Sequence, residues 1–385
     1  MVKRAREILE KLVEEDPGST RHRDQLAFVD CNLFNKYARK GELDEAIEIV
    51  KRAQATYEEL ARLTPGSPRL RFQLGMVQSS IGLQYERAGR ENEAIDAFSR
   101  GRVFLESVLR QNPSVAAFRY GLADIDFHVG LAQYHHGDLA VSIDSLRRSC
   151  DLFEQLIRED PKEEKYLNMC CSASCELGRA LCDAGRLQDA IPILRQSCDR
   201  RAELARRNQE NIFMQAELAI TRSSLGRASL LAGHYEEAVA AYRQAFEDGR
   251  TVFGDGAGGH GGETVFANRL GLDFSLRALG RDQEAAAAAA ASEQLAKGNP
   301  NALFYIAAYH ASGIPLFVGS GPAADARRRR LADQAMEALS RAVKLGFKDY
   351  AKLRTERDLD PIRPRSDFWM LMMDEAFPVD PFSQP

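Results

Sequence analysis

With 385 residues, 44% of them hydrophobic and 28% charged, the chain is composed like a soluble folded protein and is too apolar to stay disordered. A net charge of -4 sets up no overall positive field, which argues against nucleic acid and anionic membranes as partners. The basic start, Met1 to Arg6, lacks the apolar run of a signal peptide, and the most apolar stretch, Ala302 to Val318, is interrupted by His310, Gly313 and Pro315, so neither export nor a membrane span is expected.

Residues 1–15 place Ile8, Leu9, Leu12 and Val13 on one helical face, and the pattern stops at Asp16-Pro17. Beyond it the chain repeats. Gly41, Gly89, Gly137, Gly185 and Gly233 stand 48 residues apart, Gly280 follows at 47, and Pro17, Pro65, Pro113 and Pro161 keep the same step. So regular an interval predicts an all-α solenoid, with six units over residues 18–300. In this frame Ala5 aligns with Ala53 and Leu12 with Leu60, so residues 1–17 are half a unit. They are either an N-terminal cap or the edge of a longer protein, and the second is the expectation, because caps carry a polar outer face.

Each unit reads as helix A, a tight turn at glycine, helix B and a proline or polar turn. In the second unit Ser67-Pro68 is an N-cap with proline at the first helical position. Leu70, Leu74, Val77, Ile81 and Ala88 form one apolar stripe, faced on helix B by Ala94, Phe98, Gly101, Leu105 and Val108. The set Gly82, Tyr85, Ala94, Phe98 and Gly101 resembles the tetratricopeptide repeat (TPR). Gly82 recurs as Gly130, Gly178 and Gly226, where two helices must approach closely. The family unit is 34 residues; about 14 more here lengthen helix A before the motif and helix B after it, each by about two turns. The resemblance implies a right-handed superhelix whose concave groove is lined by the A helices.

Toward the C-terminus, Gly254 to Gly262 superficially resembles a phosphate cradle but follows no strand and falls at an inter-repeat turn. The alanine run Ala285 to Ala291 predicts a thin, closely packed helix. Residues 301–385 form a divergent last repeat and cap: a helix over Asn301 to Ala311, another over Ala323 to Leu345 stopped by Gly346, then a short helix and a last one capped by Ser366. Asp358-Leu-Asp-Pro-Ile-Arg363 and Phe377-Pro-Val-Asp-Pro-Phe382 resemble the tails of planctomycete-type bacterial serine/threonine kinases, in which a TPR region follows the kinase domain.

Nothing in the chain reads as catalytic, metal-binding or cofactor-binding. The kinase glycine-rich loop, lysine strand and His-Arg-Asp loop are missing, and Asp273-Phe274-Ser275 is a chance match within a helix. Cys171, Cys175 and Cys182 fall at the helical spacing of a metal-binding or reactive set, but Cys170 and Cys171 align with the packing positions Leu74 and Gly75, so core thiols are expected, and seven scattered cysteines without zinc-ribbon spacing point to a reduced, cytoplasmic protein. Arg327 to Arg330 reads as a solvated face.

The expected function is a non-catalytic protein-interaction scaffold; the alternative is the regulatory or localising arm of a serine/threonine kinase. Carried over residue by residue, the family's groove positions are Asn32, Asn35 and Arg39 in the first unit and Ser79, Ser80, Leu83 and Arg87 in the second. The third unit supplies Phe127, His128, Tyr134 and His135, the fourth Cys175, Glu176, Arg179 and Asp183, and the fifth Ser223, Ser224 and Arg227. Cations aligned around aromatics imply a protein segment with acidic and apolar residues as partner. Cys31 stands where a carboxylate clamp would need its first lysine, which disfavours that specific function.

Overall fold

The computed structural model describes residues 2–40, 42–253, 260–296, 298–316 and 321–376, and every regular element among them is helical. They form two compact units, Met1–Arg186 and Leu187–Pro385. The boundary falls at a glycine turn inside the fourth 48-residue repeat, a division that the repeat spacing does not announce.

Unit one holds α1 (Val2–Glu15), α2 (Thr20–Lys40), α3 (Leu43–Leu63), α4 (Pro68–Arg87), α5 (Glu91–Gln111), α6 (Ala116–His136), α7 (Leu139–Glu159) and α8 (Glu164–Asp183). Helix A and helix B of one repeat pack as pairs, α2 with α3, α4 with α5 and α6 with α7, and each B helix packs on the next A helix. The pairing follows the stripes: Leu70, Leu74, Val77 and Ile81 of α4 and Ala94, Phe98, Gly101, Leu105 and Val108 of α5 are all buried. Ala88, expected in the stripe, instead forms the exposed C-cap of α4, because the helix ends there.

The glycine register holds where the close approaches are described. A Cβ on Gly82 would stand 2.6 Å from the Phe98 ring, and one on Gly130 2.5 Å from Leu146 Cγ, so only glycine lets the A and B backbones come this near. In the first unit the sizes are exchanged: Phe34 occupies the glycine position and Val50 the large one, both buried in one cluster. Turn chemistry follows local rules. Gly89, Gly137 and Gly185 adopt φ of 68°, 99° and 72°, and the Ser67 hydroxyl accepts from Leu70 N at 3.4 Å. Helix α1 packs on α2 with Leu9, Leu12 and Val13 half-buried and Ile8 exposed.

One A-helix position breaks the apolar rule in each of the first five repeats. Asp30, Gln78, Asp126, Ser174 and Arg222 share the 48-residue step and are buried or half-buried. In unit one each meets a neighbouring B helix: Arg6 donates to Asp30 at 2.8 Å, Arg100 to Gln78 at 3.2 Å, and Asp126 lies between Arg102 at 3.2 Å and Arg148 at 3.3 Å. Cys150 Sγ lies 3.6 Å from Ser174 Oγ, its thiol pushed up to about 12 by burial. Burial also raises the Asp30 and Asp126 carboxyls, and the arginines only partly offset it.

Unit two continues with α9 (Leu187–Arg207), α10 (Ile212–Leu231), α11 (Tyr235–Phe253), α12 (His260–Ala278), α13 (Asp282–Ala296), α14 (Pro300–Ser312) and α15 (Pro322–Lys344), then the short α16 (Tyr350–Thr355) and α17 (Ser366–Ala376). Arg222 of α10 hydrogen-bonds Asp248 of α11, the same polar position with the charges exchanged. The alanine run lies in α13, but Ala285 is buried while Ala286, Ala287 and Ala290 are exposed, so this helix packs along one edge and not all round. The last cluster gathers α14 to α17: Phe304 stacks on Phe347 at 4.6 Å, and Leu339, Leu353, Ile362 and Phe368 are buried around them.

Candidate partner-binding face

In unit one α4 touches α6 and α6 touches α8, whereas successive B helices make no comparable contact among the described residues. From α4 to α8 the A helices therefore approach one another more closely than the B helices do. Gly121 is one cause: its bare Cα seats the Phe72 ring and the Met76 sulfur of the preceding A helix, where a Cβ would stand 2.8 and 3.3 Å away. Phe72 packs on Phe118 with centroids 5.1 Å apart.

The A-helix side turned from the B layer follows from helical spacing. On α6 the polar Asp126 and the small Gly130 face B helices, so Tyr120, Asp124, Phe127, Leu131 and His135 form the opposite stripe, and all are at least partly exposed. The corresponding stripe of α4 is Phe72, Met76, Leu83 and Arg87. The centre of this face is thus aromatic and aliphatic. Lys165 of α8 sits 3.9 Å above the Tyr120 ring, and burial raises the Asp124 carboxyl against the opposing influence of His128 and Lys165.

The expected groove residues divide among several places. Tyr134, His135, Arg179 and Asp183 come together at the C-terminal ends of α6 and α8: the Tyr134 hydroxyl donates to Asp183 at 2.5 Å, its ring lies 5.5 Å from the Arg179 guanidinium, and His135 meets it edge-on at 5.8 Å. Arg179 is also bound by Glu176 at 3.0 Å, and that carboxylate is the chief cause of its raised pKa. Arg87 is exposed in the last turn of α4. Phe127 is half-buried beside His128, whose ring turns inward to stack on buried Phe98 at 5.5 Å. Ser79 and Cys175 are buried, Ser80 bonds back to Met76 O at 3.0 Å, and Asn32 is exposed. The side chains of Asn35 and Arg39 lie outside the described residues. Ser223, Ser224 and Arg227 stand on α10 in the other unit, with Arg227 exposed.

Phe72, Met76, Tyr120, Asp124 and Lys165 belong to this face although the groove positions carried over above do not include them, and Leu131 joins them one 48-residue step after Leu83. The helical stripe alone could have found them, since each keeps the spacing of Leu83 or Phe127 on the same or a neighbouring A helix.

Among the described residues no group of three or more His, Cys, Asp or Glu side chains could hold a metal ion, and no helix is long and apolar enough to cross a membrane. Asp273-Phe274-Ser275 lies inside α12, with Asp273 bound to Arg277 at 2.8 Å. Residues 254–259 of the glycine-rich stretch lie outside the described residues, and His260 to Gly262 begin α12. Arg328 pairs with Asp325, and Cys170, Cys171, Cys175, Cys182 and Cys198 are buried.

No protein-family model matches the chain, and no curated protein does. Solved structures do. A crystal structure of BtubC (BKLC) from P. vanneervenii is similar at 18% identity with a TM-score of 0.51, over 66% of this chain and 90% of that one. A tetratricopeptide repeat protein from Parabacteroides merdae aligns at 11% identity and TM-score 0.42, over 88% of this chain and 99% of its own. The Rap conjugation gene regulator of the plasmid pLS20, in complex with the Phr* peptide, aligns at 13% and 0.41, over 92% and 98%. These likenesses do not bear on the kinase-tail resemblance. What the first of them shows is the fold: an all-α, TPR-like solenoid of antiparallel helix pairs.

Proposed function

We propose that the chain is a non-catalytic protein-interaction scaffold that holds a partner segment on the A-helix face of unit one. The carrying observation is the stripe Phe72, Met76, Leu83, Phe127 and Leu131, which leaves aromatic and aliphatic groups partly exposed on packed helices. Side chains held this way lose little freedom on binding. The partner would present apolar residues to this centre and an acidic residue to Arg87 and His135 at the C-terminal helix ends. Arg179 contributes less to that charge recognition than its sequence position suggests, because Glu176 already pairs it. A cytoplasmic location and the divisions 1–17, 18–300 and 301–385 belong to the same proposal, and the kinase-arm reading has no observation in the fold behind it.

Selection of a displayed peptide library on the full chain tests this. Selected peptides should lose affinity on Phe127→Ala by about 2 kcal/mol or more, as expected for a central aromatic anchor. Arg87→Ala should cost less and act mainly through the on-rate and its salt dependence. Peptides that bind equally well after combined alanine changes at Arg87, Phe127 and Arg179 would place the site elsewhere.

A further inference from the structure

Asp124 and Asp126 lie two residues apart on α6, and the fold treats them differently. Asp126 faces the B helices and meets the guanidinium groups of Arg102 and Arg148. Asp124, on the A-helix face, makes no hydrogen bond and no ion pair among the described residues. Two basic groups act on it only through space. Lys165 Nζ sits 3.9 Å from the centre of the Tyr120 ring, and the His128 ring is stacked on Phe98. Burial outweighs both and raises the Asp124 carboxyl.

The surroundings of this carboxylate are apolar. Phe28, Met76 and Asp124 occupy one position on three successive A helices, 48 residues apart. Phe28 is 55% exposed and Met76 is half-buried, so an apolar strip runs from α2 over α4 and ends at Asp124 on α6, beside half-buried Phe127. A partner that lays apolar groups over Phe28, Met76 and Phe127 also strips water from Asp124. An ionised carboxylate covered without a counter-charge opposes that covering. A lysine or arginine on the partner removes the opposition, because its aliphatic stem can lie along Met76 while its charged head reaches the carboxylate. Asp124 thus disfavours segments that are wholly apolar.

We infer that the segment held on this face carries a lysine or arginine beside its apolar anchors, and that this base pairs with Asp124. The inference rests on the reading of the A-helix face as the partner-binding surface. Asp124 stands eleven residues before His135 on α6, about 16 Å along the axis. The bound segment is therefore basic toward the N-terminal half of the A helices and acidic toward Arg87 and His135, and the two charges set the direction in which it lies.

Phage-displayed random peptides, selected in parallel on the full chain and on Asp124→Asn, test this. Peptides from the unaltered chain should be enriched in lysine or arginine next to an apolar residue, and peptides from Asp124→Asn should lack that enrichment. The chain is acidic overall, and comparing the two selections removes the general attraction of basic peptides. For a peptide selected on the unaltered chain, Asp124→Asn and replacement of the peptide's own base by glutamine should each weaken binding about tenfold, and both together no more than either alone. The peptide change leaves the protein intact, so it reads the pair even where the protein variant folds poorly. Two results overturn the inference. Basic residues equally frequent in both selections, with binding that ignores Asp124→Asn but falls on Phe127→Ala, would leave the face standing and remove Asp124 from recognition. Binding indifferent to Asp124→Asn and Phe127→Ala alike would remove the face itself, and the inference with it.

Discussion

His310 and Asp126 show how burial of one titratable group sets the sign of a pH response. Burial pushes His310 on α14 down to about 4, with the Arg277 charge acting in the same direction. Its Nδ1 has no hydrogen-bond partner, and the Phe274 ring stands edge-on at 6.2 Å. The folded protein therefore excludes a proton that the unfolded chain accepts near pH 6.5. Stability from this group is complete above that value and is lost as pH falls toward 4, by of order 3 kcal/mol. Urea unfolding at pH 7 and pH 5 should show a drop that His310→Leu reduces; an equal drop in the variant would assign the acid sensitivity to other groups. Asp126 responds oppositely. Its carboxyl is raised by burial, so the folded state gains stability as pH falls through the raised value.

Between helices, the contact at Gly130 decides whether α6 and α7 can pair. Leucine there would gain about 1 kcal/mol of helix propensity over glycine, but even its Cβ would stand 2.5 Å from Leu146 Cγ, and Leu146 is fully buried and cannot yield. Overpacking of this kind costs about 1 to 3 kcal/mol, so the net effect should be destabilising. Hydrogen exchange over residues 116–159 should accelerate in Gly130→Leu, and unaltered protection would refute the pairing register. This register was legible in the sequence because turn glycines and close-contact glycines act locally and recur at a fixed step. The polar position was not, because Asp30, Gln78, Asp126, Ser174 and Arg222 share a spacing but no chemistry. The binding face was half legible. Leu83, Phe127 and Tyr134 sit within the shorter family motif, whereas Phe72 and Tyr120 lie in the added N-terminal turns of the A helices, where a 34-residue template has no counterpart.

At the scale of the whole chain, contacts run mainly between neighbouring helices, so damage should remain local. Gly130→Leu is expected to leave hydrogen-exchange protection of residues 298–316 and 321–376 as it is in the unaltered protein. Faster exchange there as well would mean that the chain unfolds as one cooperative body. The polar position of the A helices bears on how such a chain keeps its order. Tandem repeats invite unequal recombination between their coding segments and, in the folding chain, pairing with the wrong neighbour. Apolar stripes alone would tolerate many such exchanges. An α10–α11 pair spliced in after α5, however, would set Arg222 against Arg102, and an α4–α5 pair in place of α6–α7 would remove the carboxylate that Arg102 now meets. The residue at this position thus makes some exchanges of neighbours costlier than others, whereas Asp30 in the place of Asp126 would still offer Arg102 a carboxylate.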